Sequence, residues 1–362
     1  YFVYAVDTSR LGHLPQLYTP ANNGWSIFLA MIFPVFQFDN GLNYMQLQRT
    51  ISIIFSSITI IPIYFLTKQF FEKKYAILSV IIFVFEPRII INSGLGITDP
   101  LYTFLISVSL VVVLNKRFAL VSFGIAAIAT MVRSEGLFLF IGIFIMYGIK
   151  NRNDTKIIPK LILTIFIFIL ILSPMMIYKT SIQGDDRIFG RVAETIEFHS
   201  KPPEETNGNS GIPFILTGLE NFPKYLGWSM IPLFIVFVPI GIIIIFKEWK
   251  KINSIIIIPI ITMSIPLFYV YSIPLLETRY IYFLFPLFCI ISLFTIKKII
   301  EKTKFQNIVM ILIFSSIIIA GLSFSEYKKI DYDSQEYGFL VSDFLHNSAK
   351  GVNNFKYSGF TV

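Results

Sequence analysis

The chain has 362 residues, 55% hydrophobic and only 14% charged, and its mean hydropathy is +0.71. Soluble domains carry about 25% charged residues, so the composition excludes an ordinary soluble globule and describes a polytopic membrane protein. A net charge of +8 would point to nucleic acid in a soluble chain; here the topology accounts for it, and no nucleic-acid partner is implied.

The chain opens on Tyr1 rather than Met and shows no signal-peptide pattern, so it reads as a fragment cut at both ends. Residues 1–20 mix aromatic and polar side chains; Tyr1, Phe2, Tyr4 and Trp25 are expected at headgroup level, as amphipathic rings are. Residues 24–38 are apolar but short for a span, which takes about 20 residues, and read as an interfacial or re-entrant helix. Spans follow at residues 50–71, 75–91, 100–114, 118–132, 136–149, 157–178, 226–246, 254–271, 280–296 and 308–322. Beyond them, residues 325–362 turn polar. An apolar helical stripe over 335–349 and a strand-like end, FKYSGFTV, read as the start of a truncated extracytoplasmic domain. The expected fold is therefore all-α, with about ten transmembrane helices plus interfacial helices in the first outer loop.

Charge in the connections alternates. Lys68/Lys73/Lys74, Lys116/Arg117, Lys150/Arg152/Lys156/Lys160, Lys247/Lys250/Lys251 and Lys297/Lys298/Lys302/Lys304 fall in every second connection. Short basic loops mark the cytoplasmic face. The outer face then receives residues 1–47, 86–99, 133–135, 179–225, 274–279 and the segment after 323. Arg10, Arg49, Arg88, Arg133, Arg187, Arg191 and Arg279 fall on that outer side, where orientation does not require them. A guanidinium fork binds phosphate oxygens bidentately, so the set reads as a phosphate site. The alternative is pairing with nearby acids, Arg133 with Glu135 and Arg279 with Glu277. In the long outer loop the adjacent Asp185 and Asp186 offer oxygens to a cation, or are simply solvated. The lone Cys289 excludes disulfides and cysteine-based metal sites, and His13, His199 and His346 lack metal-ligand spacing.

The stretch EPRIIINSGLGITDPLY, residues 86–102, places Glu86, Arg88 and Asp99 between apolar runs. A charge at bilayer depth costs roughly 2.5–3.5 kcal/mol on insertion scales, so such residues mark a site. Snorkelling at a span end is the alternative for Glu86 and Arg88, and capping of the helix that Pro100 opens is the alternative for Asp99. Outer acids beside outer arginines suit sugar transfer from a polyprenyl phosphate. A carboxylate deprotonates or orients the acceptor, and cations or a metal stabilise the departing phosphate.

With these residues in place, the layout resembles the C-type glycosyltransferase superfamily. This family of multi-spanning, polyprenyl-phosphate-sugar-dependent enzymes includes protein O-mannosyltransferases, lipid A aminoarabinose transferases and the catalytic subunit of oligosaccharyltransferase. The matching pieces are YAVDTSRLGHLP, the Arg49 start of a span, EPRIIINSGLGITDPLYTFL, MVRSEGLFLF and ETRYIYFLFP, from residue 1 to about residue 286. The resemblance implies a transmembrane glycosyltransferase domain over residues 1–324, working on the extracytoplasmic face of the cell membrane by an inverting mechanism. Its donor is a polyprenyl-phosphate-linked sugar and its acceptor a protein, lipid or glycan. It also implies Asp99 as a catalytic acid, with Glu86 tuning it or pairing with Arg88. The family's first-loop acid falls just before Tyr1, leaving Asp7 as the candidate within the chain. Arg88, Arg133 and Arg279 would hold the phosphate, with Arg49 serving there or holding the first loop. The metal-independent mannosyltransferase type is the expected branch, with no cofactor. A metal-dependent oligosaccharyltransferase-like enzyme using a divalent cation is one alternative, and a transporter or flippase for a lipid-linked or anionic substrate is another.

Overall fold

Runs of Ile, Leu, Phe and Val without polar alternation leave each backbone segment to satisfy its own N–H and C=O groups, and in apolar surroundings a helix does so within one segment. The computed structural model describes residues 1–15, 22–36, 38, 41–183, 212–273, 277–327 and 340, and every regular element among them is helical. The first outer segment forms α1 (Phe2–Leu11) and α2 (Gly24–Ile32), the latter extended by a 3-10 turn, Phe33–Val35. Then come α3 (Gly41–Ile58), α4 (Ile60–Thr67), α5 (Lys73–Val84), α6 (Pro87–Ser93) and α7 (Asp99–Leu114). They are followed by α8 (Val121–Val132), α9 (Gly136–Lys150), α10 (Ile157–Gln183), α11 (Ile212–Met230) and α12 (Phe237–Lys247). The described chain closes with α13 (Ser254–Ser272), the 3-10 segment Thr278–Leu284, α14 (Phe285–Glu301) and α15 (Gln306–Tyr327).

Five of these stretches are long and apolar enough to cross a membrane: Gly41–Thr67, Ile157–Ile182, Ser254–Ser272, Thr278–Glu301 and Gln306–Tyr327. A sixth arises if α5 and α6, bent by 57°, count as one span. The span expected at 75–91 is thus bent within its length, for a local reason. Glu86 precedes Pro87, which disfavours helical backbone at Glu86 and suits the first position of a new helix. Glu86 adopts extended φ/ψ (−71°, 111°) and caps α6. The expected span 226–246 is also broken, between Met230 and Phe237, where Pro232 offers no N–H. The long outer loop is shorter than expected, since α10 runs to Gln183 and α11 starts at Ile212. Asp185, Asp186, Arg187 and Arg191 lie outside the described residues, as do the helix and strand expected over 335–362, apart from Leu340.

Without a hydrophobic drive between helices in lipid, close packing depends on small residues and van der Waals contact. α14 is the hub: 78% of its span is buried, against 11% for the peripheral α15. Gly241 lets α12 onto it, because a Cβ there would stand 2.3 Å from the Ile291 carbonyl oxygen. Phe285 and Phe288 pack on Phe234 at 5.2 and 5.8 Å between centroids.

The bundle has two chemically distinct ends. α3 and α4 run parallel to α7, as the Gln48–Gly96 and Phe55–Phe104 contacts show. The Lys68 and Lys116 connections therefore share an end. There Lys150 Nζ bonds the Leu114 carbonyl, Lys297 lies over the Phe71 ring and Lys298 pairs with Glu248. The other end gathers α1, α2, the 86–99 segment, Arg133, and the ends of α11 and α13. The alternation of charge along the sequence becomes a separation in space.

Candidate functional site

At the arginine-bearing end, Asp99, Arg133 and Glu135 form a buried ion triad. Arg133 is extended (φ −148°, ψ 128°) where α8 ends, and Glu135 caps α9 two residues later. Arg133 Nη1 bonds Asp99 Oδ1, and Nη2 donates to Glu135 Oε1 at 2.8 Å. The guanidinium lies 5.7 Å from the Tyr102 ring centroid and 5.4 Å from that of Tyr280. Asp99 is 3% exposed and Arg133 8%. The cap of α7 is Thr98, so Asp99 is not the helix cap of the alternative reading. It occupies the first turn, where the helix dipole favours negative charge. Arg133 thus serves both carboxylates.

Two atoms of this cluster stand out. Asp99 Oδ2 and Tyr102 Oη are buried and have no hydrogen-bond partner among the described residues. Buried polar atoms are normally paired, because leaving one unmade costs on the order of 1–3 kcal/mol. Tyr102 lies one turn from Asp99 on α7, so spacing brings both to one helix face. That i, i+3 relation was visible in TDPLY; the sequence reading of this site left Tyr102 out.

Glu86 and Arg88 form a second charged group. Glu86 is fully buried, accepts the Arg88 backbone N–H at 3.4 Å, and has its other oxygen, Oε2, unpaired among the described residues. Its carboxylate is 3.7 Å from Arg88 Nη1. Arg88 is held by protein groups. Its guanidinium donates to the Trp228 carbonyl at 2.7 Å and to the Ile231 carbonyl, and lies over the Phe324 ring at 5.0 Å. It thus satisfies carbonyls freed where α11 stops before Pro232.

The first outer segment closes over the triad. Tyr1 sits in the field of Arg133, Glu135 and Asp99; burial pushes its phenol above the ordinary range, while Arg133 and a hydrogen bond with Asn22 pull it down. Trp25 Nε1 and Gln48 Nε2 both donate to the Gly96 carbonyl. Gly96 has φ +69°, and the Arg49 side chain packs beside it, 3.4 Å from where a Cβ would stand. Arg49 therefore lies against the 86–99 segment. Trp25 and Tyr4 are fully buried inside the protein, in the seam between the first outer segment and the bundle. Asp7 is half-buried on α1.

Arg279 is the most accessible of the candidate arginines in ion pairs, with its side chain 41% exposed. Its Nε contacts Glu277 Oε2 and its guanidinium lies 5.6 Å from the Tyr280 centroid. Tyr280 therefore has Arg133 and Arg279 both within cation–π distance, joining the triad to an open cleft. That cleft, about 430 Å³, is lined by Tyr225, Trp228, Glu277, Thr278 and Arg279. Both pairings offered as alternatives to phosphate binding, Arg133 with Glu135 and Arg279 with Glu277, are present. Among the described residues no three His, Cys, Asp or Glu side chains converge as metal ligands do. Asp99 and Glu135 are both turned onto the Arg133 guanidinium. No family model, curated protein or solved structure matches this chain.

Proposed function

We propose that the protein is a membrane glycosyltransferase moving a sugar from a polyprenyl phosphate to an acceptor at the arginine-bearing end, which faces away from the cytoplasm. The observation that carries this reading is Asp99: a buried carboxylate with one oxygen fixed by Arg133 and the other unpaired among the described residues. A base held in one orientation with a free lone pair is what acceptor activation requires. The lysine-rich end faces the cytoplasm by the positive-inside rule. The shorter apolar helices α7, α8, α9 and α12 also cross in this reading, giving about ten spans.

The arginines divide the work. Arg133 is committed to two carboxylates and Arg88 to backbone carbonyls, so both are positioning residues. Arg279, with Nη1 and Nη2 unpartnered among the described residues, is the one placed to take the donor phosphate. The acceptor hydroxyl or amide gives its proton to Asp99 as its heteroatom bonds the sugar's anomeric carbon from the face opposite the phosphate. The carbon–oxygen bond to phosphate breaks, and its electron pair leaves with the phosphate next to Arg279. Configuration at that carbon inverts.

The test is transfer from a radiolabelled polyprenyl-phosphate sugar by membranes carrying the protein, wild type beside Asp99→Asn. Transfer lost in the variant at unchanged protein level supports the reading. Transfer that survives Asp99→Asn removes Asp99 as the base. No transfer from any lipid-linked donor favours a transporter for such lipids.

A further inference from the structure

The cleft beside Arg279 holds features that phosphate binding alone does not require. Its Trp228 is 61% exposed. Its Tyr225 ring stacks on Tyr271 at 5.1 Å with a 9° interplanar angle, and the Tyr271 hydroxyl donates to the Glu277 carbonyl at 2.7 Å. The aromatic wall and the acidic residue are thus held to one another by α13. The Arg88 bond to the Trp228 carbonyl anchors that wall from the other side. An interfacial belt residue needs only the membrane boundary; this indole shares a concavity with an ion pair. Among the described residues, Glu277 uses Oε2 and Arg279 uses Nε in their mutual contact, leaving Oε1, Nη1 and Nη2 open to a ligand.

We propose that this cleft is a pyranose-binding subsite, with the ring lying on Trp228 and Tyr225 and its hydroxyls shared between Glu277 and Arg279. An aromatic face carries partial negative charge and suits the weakly positive C–H face of a sugar ring. A carboxylate and a guanidinium offer matched acceptors and donors to vicinal hydroxyls. The volume, about 430 Å³, falls within the roughly 300–1,000 Å³ of small-ligand sites. Arg279 of the cleft and Arg133 of the triad both lie against the Tyr280 ring, at 5.6 and 5.4 Å from its centroid, so the subsite neighbours the triad through Tyr280. The proposal deepens the transferase reading by naming where a sugar ring is held, and its test needs no turnover.

The experiment uses the full chain in a non-glycosidic detergent, in a Trp249→Phe background that leaves Trp25, which is buried, and Trp228 as fluorophores. The probes are methyl pyranosides of glucose, galactose, mannose and N-acetylglucosamine, with inorganic phosphate as the comparison. The expected result is a saturable change in fluorescence and protection from acrylamide quenching with at least one pyranoside. Binding should weaken by about tenfold or more in Glu277→Gln, the loss of a charge-assisted hydrogen bond. Continued protection of Cys289 from maleimide would show that the variant is folded. Saturation by none of the pyranosides, or equal binding in folded Glu277→Gln, would overturn the proposal; phosphate, which Arg279 takes by itself, should keep its affinity in Glu277→Gln, and an equal loss of phosphate and pyranoside binding there would overturn it too. Because transfer is assayed separately, pyranoside binding together with no transfer from any lipid-linked donor removes the enzyme reading while the subsite stands.

Discussion

Replacing Arg133 with Gln removes the cation that Asp99 and Glu135 share while keeping a polar side chain of similar reach. The wild-type guanidinium makes a bond to each carboxylate and lies near two aromatic rings. Removing one partner of a buried ion pair costs about 3–5 kcal/mol, chiefly because the remaining charge is left uncompensated. The lost cation–π contacts add about 0.5–2 kcal/mol each on the usual scale, part of which overlaps that penalty. With about 2–4 °C of midpoint per kcal/mol in 150–250-residue domains, the expected drop is on the order of 10 °C. Cys289 supplies the assay: it is the sole cysteine and fully buried, so reaction with a fluorogenic maleimide during heating in detergent reports unfolding. Asp99→Asn combined with Arg133→Gln should melt above Arg133→Gln alone, because neutralising Asp99 removes one orphaned charge. An Arg133→Gln midpoint within about 2 °C of wild type would refute the reasoning, since it would mean that water already screens the triad.

Gly96→Ala should cost about 1–2 kcal/mol, the ordinary penalty for a side chain in left-handed backbone. The new Cβ would also stand 3.1 Å from Gln48 Cγ; an unchanged midpoint in the same thiol assay would show that the turn can relax. Arg88→Met should destabilise by about 1–3 kcal/mol by orphaning the Trp228 and Ile231 carbonyls and leaving Glu86 without its cation. Arg88→Lys should recover only part of this, because an ammonium cannot reproduce the fork. If Arg88 instead served only a substrate phosphate, both variants would melt like wild type and lose donor affinity alone.

Membrane character, the helical class and the division of lysines from arginines were legible in the sequence because each follows from local composition. A run of apolar residues must be helical in lipid, and a lysine beside a span end stays there whatever the tertiary arrangement. The breaks were less legible. Glu86-Pro87 and Ile231-Pro232 carry the residue types that stop helices, yet the apolar runs around them outweighed that signal when spans were read by hydropathy.

The sequence by itself nominated Asp99, Glu86 and the arginines, and named acid pairing as the alternative for Arg133 and Arg279. Only the tertiary structure decided among their partners, because those contacts join residues far apart in the chain. Arg133 meets Asp99 across 34 positions and Arg88 meets Trp228 across 140. A guanidinium presents the same fork to a phosphate, a carboxylate or a carbonyl, and the packing of α6, α8 and α11 fixes which of them lies within reach. Arg88 lies on two backbone carbonyls and Arg133 on two carboxylates. Arg279, at the lip of an open cleft, kept free donors among the described residues.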